Sequence, residues 1–177
     1  MNSISANLNL MIKACEKASK ILIRDFGELE KLQVSKKGPN DFVTNSDIKA
    51  EKIIIEELNK GRPNYSIISE ENGIEKNKDL KNTWIIDPID GTINFLHGLP
   101  HFAISIALRS DDEIISGLIF DPIKDEMFYA EKDNGAFFNN HRIRVSKKND
   151  INNCLFASGN KVTEKVNISL RKTGSAA

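Results

Sequence analysis

The chain has 177 residues, and its 25 Lys and Arg offset 25 Asp and Glu to a net charge of zero. That balance gives no footing for direct nucleic-acid binding or for an acidic membrane surface, and no apolar run approaches the ~20 residues that cross a bilayer. The opening MNSISANLNLMIKAC lacks the basic start and long apolar stretch of a signal peptide, and Cys15 and Cys154 form no metal or redox motif; a cytoplasmic protein with two reduced, structural thiols is expected.

From about Asn7 to Leu32, the residues Leu10, Met11, Ala14, Ala18, Ile21, Leu22 and Phe26 recur at helical spacing, with Lys13, Glu16, Lys17, Lys20 and Arg24 turned to water. This predicts an amphipathic helix that covers a sheet. Ser35 to Asp41 reads as a loop by composition, with Lys36 and Lys37 as solvated charges. Thr44-Asn45-Ser46-Asp47 opens a second amphipathic helix over Ile48 to Leu58. Asn45 or Ser46 is the expected N-cap, and capping of the helix dipole would by itself account for Asp47. Beyond Gly61-Arg62-Pro63-Asn64, a short strand from Ser66 to Ser69 ends in Glu70-Glu71-Asn72-Gly73. Locally these acids read as a solvated turn, and Ile74 to Asn82 as a mobile polar loop.

Trp84-Ile85-Ile86 is an apolar run that predicts a buried strand. It delivers Asp87-Pro88-Ile89-Asp90-Gly91-Thr92. Pro88 fixes φ and Gly91 permits close backbone approach, so Asp87, Asp90 and the Ile89 carbonyl can point at one place. Oxygen ligands of this kind suit a hard cation such as Mg²⁺, and the Gly91 and Thr92 N–H groups at a helix start suit a phosphate oxygen. Ordinary turn chemistry explains the same residue types. Downstream, Phe102 to Leu108 alternates large and small residues, a strand with both faces covered. Further strands follow over Glu113 to Phe120, Glu126 to Lys132 and Ala136 to Asn139, with turns at Asp121-Pro122 and Asp133-Asn134-Gly135 and a hairpin turn at Asn139, His141 and Arg142. Pro100 prevents His97 and His101 from aligning as a zinc pair, so both read as structural. Lys147 to Asp150 is a polar boundary, Cys154 to Ala157 a candidate strand, and Val162 to Ser175 a polar segment.

The longer pattern, Asp87 to Thr92 with Asn94-Phe95 and then Pro100-His101-Phe102-Ala103-Ile104-Ser105-Ile106-Ala107, closely resembles the signature of the inositol monophosphatase family. Asp41 to Asp47, Ser69-Glu70-Glu71, Gly117 to Tyr129, Gly135-Ala136-Phe137 with Val145-Ser146, and Arg171 to Ala177 resemble further family blocks in the right order. The family, whose bacterial branch includes inositol-1-monophosphatases and extragenic suppressors, comprises Mg²⁺-dependent, Li⁺-sensitive phosphomonoesterases. The resemblance implies an α+β fold, a layered α/β sandwich in which a helix pair packs on an antiparallel sheet. It implies two or more Mg²⁺ held by Glu70, Asp87, the Ile89 carbonyl and Asp90. Glu70, Thr92 and Asp47 would be catalytic, with Asp47 hydrogen-bonded to Thr92, and Glu71 would stand behind Glu70. Glu70, Ile89, Asp90, Gly91 and Thr92 would contact substrate. A lysine at 36 or 37 would lie near the metals, and Ile93 replaces a second threonine usual in the family.

The expected organisation is an N-terminal metal- and phosphate-binding domain over 1–149, with 150–177 starting a truncated α/β domain. In the family that second domain supplies another Asp ligand and the residues that recognise the inositol ring, so weak or absent activity is expected of this chain. The implied partners are a small phosphate monoester and, in one arrangement, a second copy in a homodimer. Two other readings stay open: a non-catalytic regulatory partner of transcription and ribosome assembly, and an inactive gene remnant.

Overall fold

The structure, a computed structural model, describes residues 4–29, 34–38, 41–150 and 152, with residues 34–38 and 41–43 as backbone only. The chain divides into two units, Met1–Arg144 and Val145–Ala177, and all elements below belong to the first. In the second, residues 145–150 are exposed and without regular structure. The candidate strand at Cys154 to Ala157 and the segment Val162 to Ser175 lie outside the described residues.

Helix α1 (Ala6–Phe26) buries Leu8, Met11, Ala14, Cys15, Ala18 and Leu22, a stripe with the helical period. It stops at Phe26 rather than running to Leu32, because the Gly27 N–H turns back onto the Ile23 and Arg24 carbonyls at 3.2 and 3.1 Å. The stretch around Ser35 to Asp41 is not a plain loop. It is a hairpin of β1 (Val34–Gly38) and β2 (Asp41–Thr44), antiparallel with an irregularity between Lys36 and Gly38. Its content of Lys and Gly, residue types common in loops, hid the short strands.

Helix α2 (Asn45–Gly61) lies against α1 and buries Ala50, Ile54 and Leu58. Its N-cap is Thr44, one residue ahead of the expected pair. Between the helices, Glu57 accepts from Lys17 at 2.6 Å and from Lys60 at 2.8 Å. The hydrogen bonds from Lys17 and then Lys60 lower the Glu57 carboxyl from 4.5 to about 2. A depressed carboxylate contributes stability that is complete above its unfolded pKa and lost as pH falls through the folded one. Unfolding free energy should therefore decline between pH 4.5 and about 2, and Glu57→Gln should flatten that decline. Denaturant melts across the window test this, and a variant with the same slope as the parent would refute it.

Strands β3 (Tyr65–Ser69), β4 (Gly73–Glu75), β5 (Asp79–Asp90), β6 (Ala103–Ser110), β7 (Glu113–Asp121), β8 (Glu126–Glu131), β9 (Gly135–Phe138) and β10 (His141–Ile143) form one sheet of eight. Their order is β10-β9-β8-β7-β6-β5-β3-β4. Every pair is antiparallel except β3 with β5. The segment Ile74 to Asn82, expected as a mobile loop, instead holds β4 and the start of β5; Ser66 Oγ accepts from Asn77 N–H at 3.1 Å and donates to the Asp79 carbonyl at 3.1 Å. Its polarity reflects an edge position, since all of β4 is exposed.

One sheet face carries Trp84, Ile86, Ile104, Ile106, Leu108, Leu118 and Phe120, all buried in one cluster with the apolar stripes of α1 and α2. On the opposite face of β6, Ala103, Ser105 and Ala107 are half-buried, and Ile119 is half exposed. That face is thus less covered than the alternation predicted. At one end of the core Phe26, Phe95 and Phe102 pack with centroids 5.0 to 5.7 Å apart. Each such pair is worth about 0.5–1.5 kcal/mol beyond its buried area. Together they fasten the short helix α3 (Thr92–Leu96) to the end of α1 and the start of β6.

Candidate active site

The single parallel pair creates the site. Parallel strands end on the same side of a sheet, so β3 and β5 release Glu70 and Asp87 side by side. The register Ser69↔Ile86 brings them level, and the Glu70 N–H donates to the Ile86 carbonyl at 3.2 Å. Past Asp87 the ladder with β6 slips. Asp87 pairs with Ser105 and Asp90 with Ala103, so Pro88 and Ile89 together oppose Ile104 alone. This is a β-bulge, placed where proline has no N–H to give the ladder. Ser105 and Ala103 are two apart and share a face, so their partners Asp87 and Asp90 share it too. The bulge therefore puts two acids three residues apart on one side of a strand whose period is two. The Ile89 N–H donates to Asp87 Oδ1 at 3.1 Å, and the Ile89 side chain is buried. Gly91 follows with φ of 98°, where a Cβ would meet the His101 carbonyl oxygen at 3.0 Å.

The second contributor is the start of α2. The Thr44 hydroxyl accepts from the Ser46 and Asp47 N–H groups at 3.0 and 3.3 Å, and Asp47 Oδ2 accepts from the Thr44 N–H at 2.8 Å and from its hydroxyl. This capping box occupies one oxygen of Asp47. The other, Oδ1, faces Thr92, whose hydroxyl lies 3.5 Å away and 3.0 Å from the Ile89 carbonyl. Capping and site geometry, alternative explanations of Asp47 in the sequence, are both present, one on each oxygen.

Burial pushes the Asp87 carboxyl above its ordinary range; a side-chain hydrogen bond with Glu70 works against that, and the charges of Asp90 and Asp47 add to it. Burial likewise raises Asp47, offset by its Thr44 bonds, with the Glu70 charge adding to the rise. Asp87 thus feels Glu70, Asp90 and Asp47, and Asp47 feels Glu70. Among the described residues no three His, Cys, Asp or Glu side chains already converge on one ion: Glu70 and Asp87 meet each other instead. The donor set nonetheless fits a hard divalent cation. It consists of carboxylates and a carbonyl, the oxygen donors such an ion takes, and burial with neighbouring negative charge makes ionised Asp87 costly until a cation compensates it.

Glu70, Asp87, Ile89, Asp90, Thr92 and Asp47 are accordingly brought together, with Gly91 at the turn. Lys36 and Lys37 have no described side chains. His97 and His101 are exposed and outside the cluster; the His101 carbonyl accepts from Asn94 at 2.8 Å. Asp121 is a turn residue, its Oδ1 accepting from the Ile123 and Lys124 N–H groups at 3.0 Å. Sequence reasoning missed Thr44 as the cap, though its spacing of three from Asp47 is the capping-box signal. It also missed Asp25, buried and accepting from Ser46 at 2.8 Å, and Glu51, one helical turn beyond Asp47.

Known proteins resemble this chain over part of their length. An inositol-1-monophosphatase of Rhizobium meliloti is 50% identical over 155 residues, covering 88% of this chain and 58% of that protein. A Nus factor SuhB of Haemophilus influenzae is 41% identical over 152 residues, covering 86% and 57%. The crystal structure of the extragenic suppressor protein suhB from Bartonella henselae matches at 51% identity with a TM-score of 0.80, over 81% of this chain and 56% of that one. The chain thus spans a little over half the length of these relatives. Residues 5–176 match the sequence profile of the inositol monophosphatase family, which agrees with the fold and with the acid-rich turn at its centre: the chain belongs to that family.

Proposed function

We propose that this chain carries the cation- and phosphate-binding part of a Mg²⁺-dependent phosphomonoesterase that hydrolyses myo-inositol phosphate to myo-inositol and phosphate. The boundary of that part falls near residue 149. The observation that carries the reading is the acid cluster in which Glu70 is hydrogen-bonded to Asp87 beside Asp90 and Asp47, with the Thr92 hydroxyl against Asp47. Glu70, Asp87, the Ile89 carbonyl and Asp90 would hold Mg²⁺, with Li⁺ as inhibitor by family likeness. When bound, such an ion supplies charge neutralisation at the phosphate and a water of lowered pKa. The chain's own residues do the rest. Thr92, paired with Asp47, would help orient and deprotonate an attacking water, and Glu70 would help position it. The Gly91 and Thr92 N–H groups, at a helix start with no side-chain cap, suit a phosphate oxygen.

The test is phosphate release from inositol 1-phosphate by the purified chain. Release should require Mg²⁺ and fall by at least ~100-fold in Asp90→Asn, the order of loss expected when charge stabilisation is removed. A folded chain that releases none, with or without Mg²⁺, would remove the catalytic reading for this polypeptide. The name Nus factor on 41%-identical relatives favours a second reading, binding to transcription machinery without catalysis. Recovery of RNA polymerase components on an Asp87→Asn chain would support it.

A further inference from the structure

The carboxylate of Glu51 is fully buried and has no role in the reading above. Its Oε1 accepts from the Ser69 hydroxyl at 2.9 Å, the Asn72 N–H at 3.0 Å and the Asn72 side-chain amide at 2.5 Å; its Oε2 accepts from the Glu71 N–H at 2.9 Å. None of these donors is a cation. A buried carboxylate costs heavily unless its oxygens are satisfied, and a hydrophobic residue would fill this position on α2 without that cost. All four donors belong to residues 69, 71 and 72. They bracket Glu70 in sequence.

We infer that Glu51 is a positioning residue: it clamps the turn after β3 so that the Glu70 carboxyl stands against Asp87. Two links fix Glu70 from opposite sides. Its own N–H is tied to the Ile86 carbonyl on β5, and its neighbours are tied to α2 through Glu51. Positions 47 and 51 are one helical turn apart and lie on one face of α2. The same face therefore sets both halves of the site, Asp47 reaching Thr92 and Glu51 holding the Glu70 turn. Rigid delivery matters because Glu70 is exposed and a turn of Glu, Glu, Asn and Gly has no apolar anchor of its own.

The inference rests on reading Glu70 as a cation ligand, and its test separates the two. Mn²⁺ binding by titration calorimetry and amide exchange by NMR are compared in the parent, Glu51→Gln and Ser69→Ala chains, each well below its melting temperature. Gln keeps the side chain's length but sets an NH₂ where one acceptor stood, so it cannot satisfy all four donors. Expected are Mn²⁺ binding weakened about 10–100-fold, as for loss of other partners that orient ligands, and faster exchange of the Glu71 and Asn72 amides. Should Glu51→Gln fail to fold, Ser69→Ala, which removes one donor and keeps the carboxylate, should show the same two changes in smaller measure. A folded variant that melts lower yet binds Mn²⁺ as the parent does makes Glu51 a stabilising residue only and overturns the inference. A parent chain that takes up no Mn²⁺ overturns the cation reading itself.

Discussion

Asp87→Asn should raise the melting temperature of the cation-free chain while weakening its Mg²⁺ or Mn²⁺ affinity by about 100-fold or more. The loss is expected to exceed the roughly 10–100-fold that follows removal of an outer partner, because Asp87 is proposed to touch the ion. The gain follows from the same residue. Burial and the charges of Asp90 and Asp47 oppose ionisation of Asp87, so a neutral isostere relieves repulsion. Its Oδ1 can still accept from the Ile89 N–H, and its amide can donate to Glu70. A gain on the order of 1 kcal/mol is in the range of charge optimisation. Thermal melts with and without Mg²⁺ read both effects. If Asp87→Asn melts below the parent without cation, the four acids are not in conflict and the electrostatic account fails.

Gly91→Ala should cost both stability and phosphate release. At φ of 98° an alanine is strained, by about 1–3 kcal/mol, and its Cβ would lie 3.0 Å from the His101 carbonyl oxygen. The backbone on either side cannot swing away freely, since Phe95 and Phe102 are locked in the aromatic cluster. In a chain of this size such a loss lowers the melting temperature by roughly 2–12 °C. Gly73→Ala supplies the comparison, because Gly73 also has a positive φ, 75°, but nothing within 4 Å of the added carbon. The difference between the two variants isolates the contact beneath the Asp90–Thr92 turn. Equal melting temperatures would mean that the turn has room to adjust.

The elements that sequence revealed are those whose burial is periodic. The stripe of α1, the alternation of β6 and the turns that divide β7 to β9 all follow from which side chains must leave water. The edge strand β4 carries no such stripe, because an exposed strand of Gly, Ile and Glu is chemically indistinguishable from a loop, and β1 and β2, five and four residues long, are too short to show a period. In the site, Asp87, Asp90 and Thr92 stood out because Pro and Gly mark their turn. Glu70 and Asp47 looked ordinary, a solvated turn and a cap, and only the family likeness singled them out. Glu51 escaped altogether: a glutamate in a helix is presumed to be on its surface, and what buries this one is a turn from another part of the chain. The register slip at Pro88 was similarly hidden, since it depends on which strand lies alongside.

The parallel neighbours β3 and β5 also dictate when the site can exist during folding. Hairpins such as β7–β8 join nearby residues and can close early, whereas Asp47 and Thr92 are 45 positions apart and meet only after β5 has slid in beside β3. Closing loops of that length precedes any reward from the contacts. The proposed ligand set is therefore incomplete in the early chain, because Glu70 joins Asp87, Ile89 and Asp90 only when β5 lies beside β3. On a ribosome, Asp47 and Glu70 emerge well before Asp87 and Asp90, and for that interval their charges stay apart in water. The crowding of like charges is postponed to the last step, when the surrounding core is already in place to hold it.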